Sequence, residues 1–210
     1  MTDFIVAVDG PAGSGKSSVC REAARRLGFC YLDTGAGYRA MALHVKASAD
    51  IGTAIKTFDY EISLDPDHQV ASLHGVDITT DIRSAETAAL VRPIAQDLSV
   101  RALQKLDART RISACDKAGI IVEGRDITTV VVPEAQVRIL LTASQEVRLA
   151  RRAKDATEES ESVILRDSSD SKVAEFMSAA PGVVEIDTSE LDFEQSVQAL
   201  LGAIEAVRNV

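Results

Sequence analysis

Lys16 and Ser17 close the stretch GPAGSGKS, which begins at Gly10 and fits the spacing G-x-x-x-x-G-K-[ST]. Glycines at these positions let backbone N–H groups turn inward around an anion and keep side chains out of its path. A helix starting near Lys16 would add its positive N-terminal end and its unpaired donors. In that geometry Lys16 reaches the β- and γ-phosphates of a nucleoside triphosphate, and the Ser17 hydroxyl is placed to coordinate Mg²⁺. The expected triphosphate contacts are Gly10, Pro11, Ala12, Gly13, Ser14, Gly15, Lys16, Ser17 and Ser18.

A second acid should help to hold the metal from the end of a neighbouring strand. GIIVEGRD offers Glu123 directly after an apolar run, and FCYLD offers Asp33 as a competitor. Either could act through a bound water, since Mg²⁺ keeps several. Arginine is concentrated after strands and in one charged stretch: Arg39, Arg101, Arg125, Arg148, Arg151, Arg152 and Arg166. A guanidinium is a fork suited to phosphate oxygens, so this grouping suggests clamps on several phosphates. Arg39 and Arg125 each follow a glycine-containing turn after a buried strand, at the sheet edge where open α/β folds bind ligands.

These residues need a scaffold. Continuous apolar runs at FIVAVDG, FCYLD, GIIVEG, VRILLTA and GVVEIDT read as strands buried on both faces. Helical patterns fall between them at Lys16–Leu27, Tyr38–Ala47, Ser84–Ala114, Gln145–Ala156 and Phe193–Val207. The alternation predicts an α/β fold with a doubly wound parallel sheet. Two stretches break it. Tyr60–Arg83 has short alternating segments separated by DPDH and HG, which predicts a small inserted antiparallel meander. Lys154–Lys172 is acidic, serine-rich and poor in apolar residues, and reads as a solvated loop or a charged lid. The loop pattern at Gly10–Ser17 would arise by chance in about one chain in a hundred of this length. The strand before it and the helix after it make it specific.

Composition removes other classes. The 210 residues carry a net charge of -9, and aromatics make up 4% of them with no Trp. A nucleic acid polymer needs a basic face or stacking platforms, so it is not an expected partner. Cys20, Cys30 and Cys115 share no metal-ligand spacing and read as buried apolar groups in a reducing compartment. His44, His68 and His74 form no metallohydrolase pattern. There is no apolar run of membrane-spanning length and no signal peptide. A cytoplasmic protein, monomeric and without a membrane partner, is expected.

The blocks DGPAGSGKSS, YLDTGAGYRA, GVDITTDIR, VEGRDITTVVVPEA and RDSSDS, in this order over nearly the whole chain, resemble those of bacterial cytidylate kinases. These form the (d)CMP kinase branch of the nucleoside monophosphate kinases. The resemblance implies a three-layer P-loop NTPase core at about 1–35, 115–150 and 180–210. It also implies an inserted NMP-binding subdomain at about 36–114 and a short lid at about 151–175. The implied reaction moves a phosphoryl group from ATP, bound with Mg²⁺, to CMP or dCMP. Thr34 and Arg39 would surround the acceptor phosphate, Arg125 would bind it, and Arg101 and Asp126 would read cytosine. Arg166 and Asp170 would close over phosphate and ribose, and Arg148 and Arg152 would reach the transferring group beside Lys16. The chain departs from the pattern at Val173, where an arginine is usual, with Lys172 beside it. It departs again in a short segment between Arg152 and Arg166, at Arg92 in place of a small serine, and at Thr128 in place of a glycine.

Overall fold

Every second residue of a strand points to the same face, so a strand with no polar alternation must be covered on both sides. Ile5–Asp9 (β1) is such a strand: Val6 and Val8 enter one apolar cluster, and Ala7 enters another on the opposite face. The computed structural model describes residues 4–48, 50–154 and 178–208. Within them, β1 pairs in parallel with Ile120–Gly124 (β6) and Val137–Thr142 (β7). Cys30–Asp33 (β2) and Val184–Asp187 (β8) complete a five-stranded sheet of order β2-β6-β1-β7-β8, all parallel.

The covering helices form the outer layers. Lys16–Leu27 (α1) and Phe193–Arg208 (α7) bury Val19, Cys20, Ala23, Leu200 and Ile204 against Val6, Val8 and Ile121. On the other face, Ala108 and Ile112 of Leu98–Ala114 (α5) meet Leu32, Ile120 and Val122. This is the predicted three-layer, doubly wound α/β fold. The helix after β7 is Gln145–Lys154 (α6).

Between β2 and β6 lie Thr34–Ala47 (α2), Ile51–Thr57 (α3), the strands Tyr60–Ile62 (β3), Ala71–Leu73 (β4) and Val76–Asp77 (β5), and Ala85–Gln96 (α4). The three short strands form the expected antiparallel meander. It closes on a single helical turn, Asp81–Arg83, that buries Ile82. Two apolar clusters hold this region together, one around Ala40, Tyr60 and Ile78 and one around Met41, Ala54 and Val100.

Four local expectations are corrected. The helix expected over Ser84–Ala114 is two helices, because Asp97 takes an extended conformation and its carboxylate caps α5 by accepting from the Ser99 and Val100 N–H groups. Helix α2 starts at Thr34 rather than Tyr38, capped by Asp33, which accepts from Ala36 N. Helix α3 was not expected; Asp50 caps it through Thr53 N. Strand β8 is not buried on both faces but lies at the sheet edge, with Val184 half exposed. Among the described residues no helix is long and apolar enough to cross a membrane.

Candidate active site

All the parallel strands point their C-terminal ends at one edge, and the chemistry collects there. The loop after β1 winds through Gly13 (φ 78°) and Gly15 (φ 87°), left-handed conformations that favour glycine. At Gly10 the constraint is space, since a Cβ there would stand 2.2 Å from the Leu141 carbonyl oxygen. Two arginines of α6 hold the outside of the loop. Arg148 donates to the Ala12 carbonyl at 3.1 Å. Arg151 donates to the Ser14 carbonyl at 3.1 Å, and to the hydroxyl and carbonyl of Thr188 at 3.0 and 2.9 Å. With carbonyls drawn outward, the loop can present its N–H groups to an anion.

Lys16 sits at the start of α1, with Nζ 4.0 Å from Glu123 Oε2. Burial lowers the Lys16 pKa, and the Glu123 carboxylate opposes that shift. Glu123 is itself 1% exposed. Burial raises its pKa, while Lys16 and the Tyr31 hydroxyl, 2.7 Å from Oε1, favour the charged form. Its Oε2 accepts no hydrogen bond. Asp33, the competing acid, is committed elsewhere: Oδ1 caps α2, and Oδ2 accepts from Arg39 at 2.6 Å. The Arg39 Nε is buried and donates to no protein acceptor.

Gly13 through Ser18 line a cleft of about 740 Å³ together with Tyr31, Asp33, Arg39 and Arg152. Gly10, Pro11 and Ala12 do not line it and are buried. A second pocket of about 210 Å³ is lined by Thr34, Arg101 and Asp126 along with Tyr38, Gln104 and Lys105. Here Arg101 and Asp126 form an ion pair of 2.5 Å. Burial raises the Asp126 pKa, and Arg101 opposes that shift. Arg125 is half-buried and lines neither pocket, and its charge acts on Lys16. Arg92 is exposed on α4, and the small pocket is lined without it. Arg166, Asp170, Lys172 and Val173 lie outside the described residues.

Three residues at this edge had no role in the sequence reading: Asp9, Tyr31 and Thr188. Arg151 had been grouped with the arginines but given no partner. Thr128 was noted only as a departure, yet its N–H and hydroxyl both donate to the buried Asp9 carboxylate.

The cytidylate kinase family model matches residues 6–206, nearly the whole chain. The chain belongs to the cytidylate kinase family. Among its relatives, the cytidylate kinase of Cutibacterium acnes is 39% identical over 96% of both chains. That of Nocardia farcinica is 40% identical over 95% of this chain and 92% of its own. The fold agrees with shikimate kinase from Bacteroides thetaiotaomicron, with a TM-score of 0.54 at 14% identity over 96% of this chain and 98% of that one.

Proposed function

We propose that this chain transfers the terminal phosphoryl group of ATP to CMP or dCMP, giving ADP and the corresponding diphosphate. One observation carries the reading: a phosphate-loop cleft stands beside a smaller pocket in which Arg101 and Asp126 face each other. Cytosine has an amino donor matched by a carboxylate, and O2 and N3 acceptors matched by a guanidinium. Family membership supports the same acceptor.

In this reading Lys16 and the loop N–H groups bind the triphosphate from ATP's β- and γ-phosphates inward. Arg39 keeps Asp33 as a partner and offers its remaining donors to the acceptor phosphate, with Arg125 beside it and Thr34 at the entrance to the base pocket. Arg152 lines the larger cleft and supplies positive charge near Lys16. Arg148 acts from behind the loop by holding Ala12. No strong general base is needed, because the second pKa of a phosphate monoester is about 6 and the attacking oxygen is already ionised at neutral pH. The protein's work is in-line positioning and charge neutralisation. Arg166 and Asp170 are proposed to close over the acceptor.

The site fits Mg²⁺. The buried Glu123 Oε2 accepts no hydrogen bond and lies near the Ser17 end of the loop, whereas both Asp33 oxygens are engaged. Ser17 and Glu123 would hold the ion, directly or through water; when bound with ATP it neutralises phosphate charge. Among the described residues no cluster of three metal-ligating side chains exists, in keeping with an ion held largely by phosphates and water. The three buried, unpaired cysteines support a reducing compartment and so a cytoplasmic enzyme.

The test is ATP-dependent phosphorylation of CMP, dCMP, UMP and AMP side by side, with Asp126→Ala as the second arm. We expect transfer to the cytosine nucleotides first, and a variant whose CMP preference falls more than its ATP affinity. A wild-type protein that prefers UMP or AMP would sink the cytosine reading, and so would unchanged base selectivity in Asp126→Ala.

A further inference from the structure

Asp9 ends β1, immediately before Gly10, and is 2% exposed. A buried carboxylate needs donors, and all those it has in the described structure come from one place across the sheet. Oδ1 accepts from Ile127 N at 2.8 Å; Oδ2 accepts from Thr128 N at 2.8 Å and from Thr128 Oγ1 at 2.6 Å. Ile127 and Thr128 directly follow Arg125 and Asp126.

The backbone shows why this tie matters. The β1–β6 ladder ends with Asp9 opposite Gly124. Beyond Gly124 the chain leaves the sheet, and no ladder fixes its course. Asp126 then precedes a single wide turn, Ile127–Val131, whose first N–H groups have no helical acceptor. The Asp126 carbonyl starts that turn by accepting from Val130 N at 2.8 Å and Val131 N at 3.1 Å. Asp9 therefore caps the turn from another strand, 118 positions away along the chain. The same residue is the last one before the phosphate loop, so one side chain fixes two segments relative to each other.

We propose that Asp9 and the Thr128 hydroxyl form a clasp that sets the position of Asp126 in the small pocket and registers it with the phosphate loop. Both are positioning residues, since neither lines either pocket. The hydroxyl strengthens the clasp by a third hydrogen bond at a position where the family pattern carries glycine. A hydrogen bond to a charged group is about twice as strong as a neutral one. The clasp rests on the acceptor reading given above for its functional consequence, but not for its geometry.

Thr128→Val removes the hydroxyl while keeping the branched shape, and Thr128→Ser restores it. We expect Thr128→Val to raise KM for CMP about five- to tenfold, by loss of positioning at the reacting partner. KM for ATP should stay within about twofold, the CMP-over-UMP preference should fall, and Thr128→Ser should recover wild-type values. Asp9→Asn should move the same quantities further; if it fails to fold, the Thr128 pair decides. Equal rises in both KM values, or an unchanged KM for CMP, would overturn the clasp. Amide exchange at Ile127 and Thr128, which needs no substrate, should quicken in Thr128→Val. Should the wild-type protein transfer nothing to CMP, the acceptor reading has failed on its own terms. Amide exchange then judges the clasp alone: faster exchange upholds it and unchanged exchange overturns it.

Discussion

Tyr31→Phe removes one oxygen from the core of the sheet, and its effect should appear in the pH dependence of turnover. The Tyr31 ring is 3% exposed and packs in the cluster beneath α1, so the phenylalanine ring occupies the same space. What is lost is the donor 2.7 Å from Glu123 Oε1. Burial already raises the Glu123 pKa, and this donor is one of the groups that oppose the rise. A hydrogen bond to a charged group contributes about 1.5–3 kcal/mol. If all of it favours the carboxylate, its loss raises the Glu123 pKa further, in the direction burial already pushes it. The acid limb of the profile of kcat/KM should therefore move to higher pH. The alkaline limb should move less, because the substitution leaves the 4.0 Å Lys16–Glu123 pair in place. The acceptor's own second ionisation, near pH ~6, is common to both proteins, so the difference between the profiles isolates the protein group. A uniform fall in rate at every pH, or superimposable acid limbs, would refute the role given to the Tyr31–Glu123 hydrogen bond.

Arg151→Ala cuts the fork that ties the phosphate loop to Thr188, two of whose bonds measure 3.0 and 2.9 Å. We expect a loss of about 3 kcal/mol, seen as a fall in Tm of roughly 6–12 °C, with a raised KM for ATP; a Tm within about 2 °C of wild type would count against the fork. Arg26 joins α1 to α7 through Glu22 at 2.7 Å and Glu194 at 2.6 Å; Arg25 and then Arg26 pull Glu22 down to about 2, and Arg26 with Gln198 pulls Glu194 down to about 2. Depressed folded-state values stabilise above the ordinary pKa of 4.5 and lose that stability as pH falls toward about 2. Arg26→Ala should thus lower Tm above pH 4.5, match wild type below about pH 2, and differ less at high salt because the pair is exposed. A difference in Tm that persists below about pH 2 would show that the arginine acts through packing instead.

What the sequence revealed depended on how local the signal was. Helix α1 has the expected bounds because both ends are marked by glycines in left-handed conformations, Gly15 at φ 87° and Gly28 at φ 63°. The five parallel strands were legible because each is a short apolar run, although β8 shows that such a run does not guarantee burial on both faces. The break between α4 and α5 was hidden by an apolar period that continues through Asp97, while the capping signal is one side chain long. The contacts that assemble the site were silent for another reason. Tyr31 and Glu123 are 92 positions apart, Asp9 and Ile127 118, and Arg151 and Ser14 137. No periodicity links such pairs; only the closing of the sheet does. The motif residues could be found because each belongs to a contiguous block; Asp9, Tyr31 and Thr128 lie in those blocks too, but the groups they hold, or that hold them, belong to a different block.

Local pairing also explains how a chain of net charge -9 can serve polyanions. Lys16 faces Glu123, Arg39 faces Asp33 and Arg101 faces Asp126. The three acids stand at or just beyond the ends of β2 and β6, so the sheet that places the acids also places their cations. An unpaired buried cation would be strongly disfavoured: its side chain would turn toward solvent, or, for a lysine alone, lose its proton. With an acid beside it, each is held in the site and aimed. Arginine has five N–H donors, so one carboxylate leaves several free. The buried Arg39 Nε, which has no protein acceptor, is one of them. A phosphate arriving there need not displace Asp33, and the cost of orienting the guanidinium has already been met in folding. Lysine at position 39 would keep the charge and lose the second set of donors. The arginines thus differ in kind from Lys16, whose single ammonium faces Glu123 and, in the proposed reading, would have to be shared with the triphosphate.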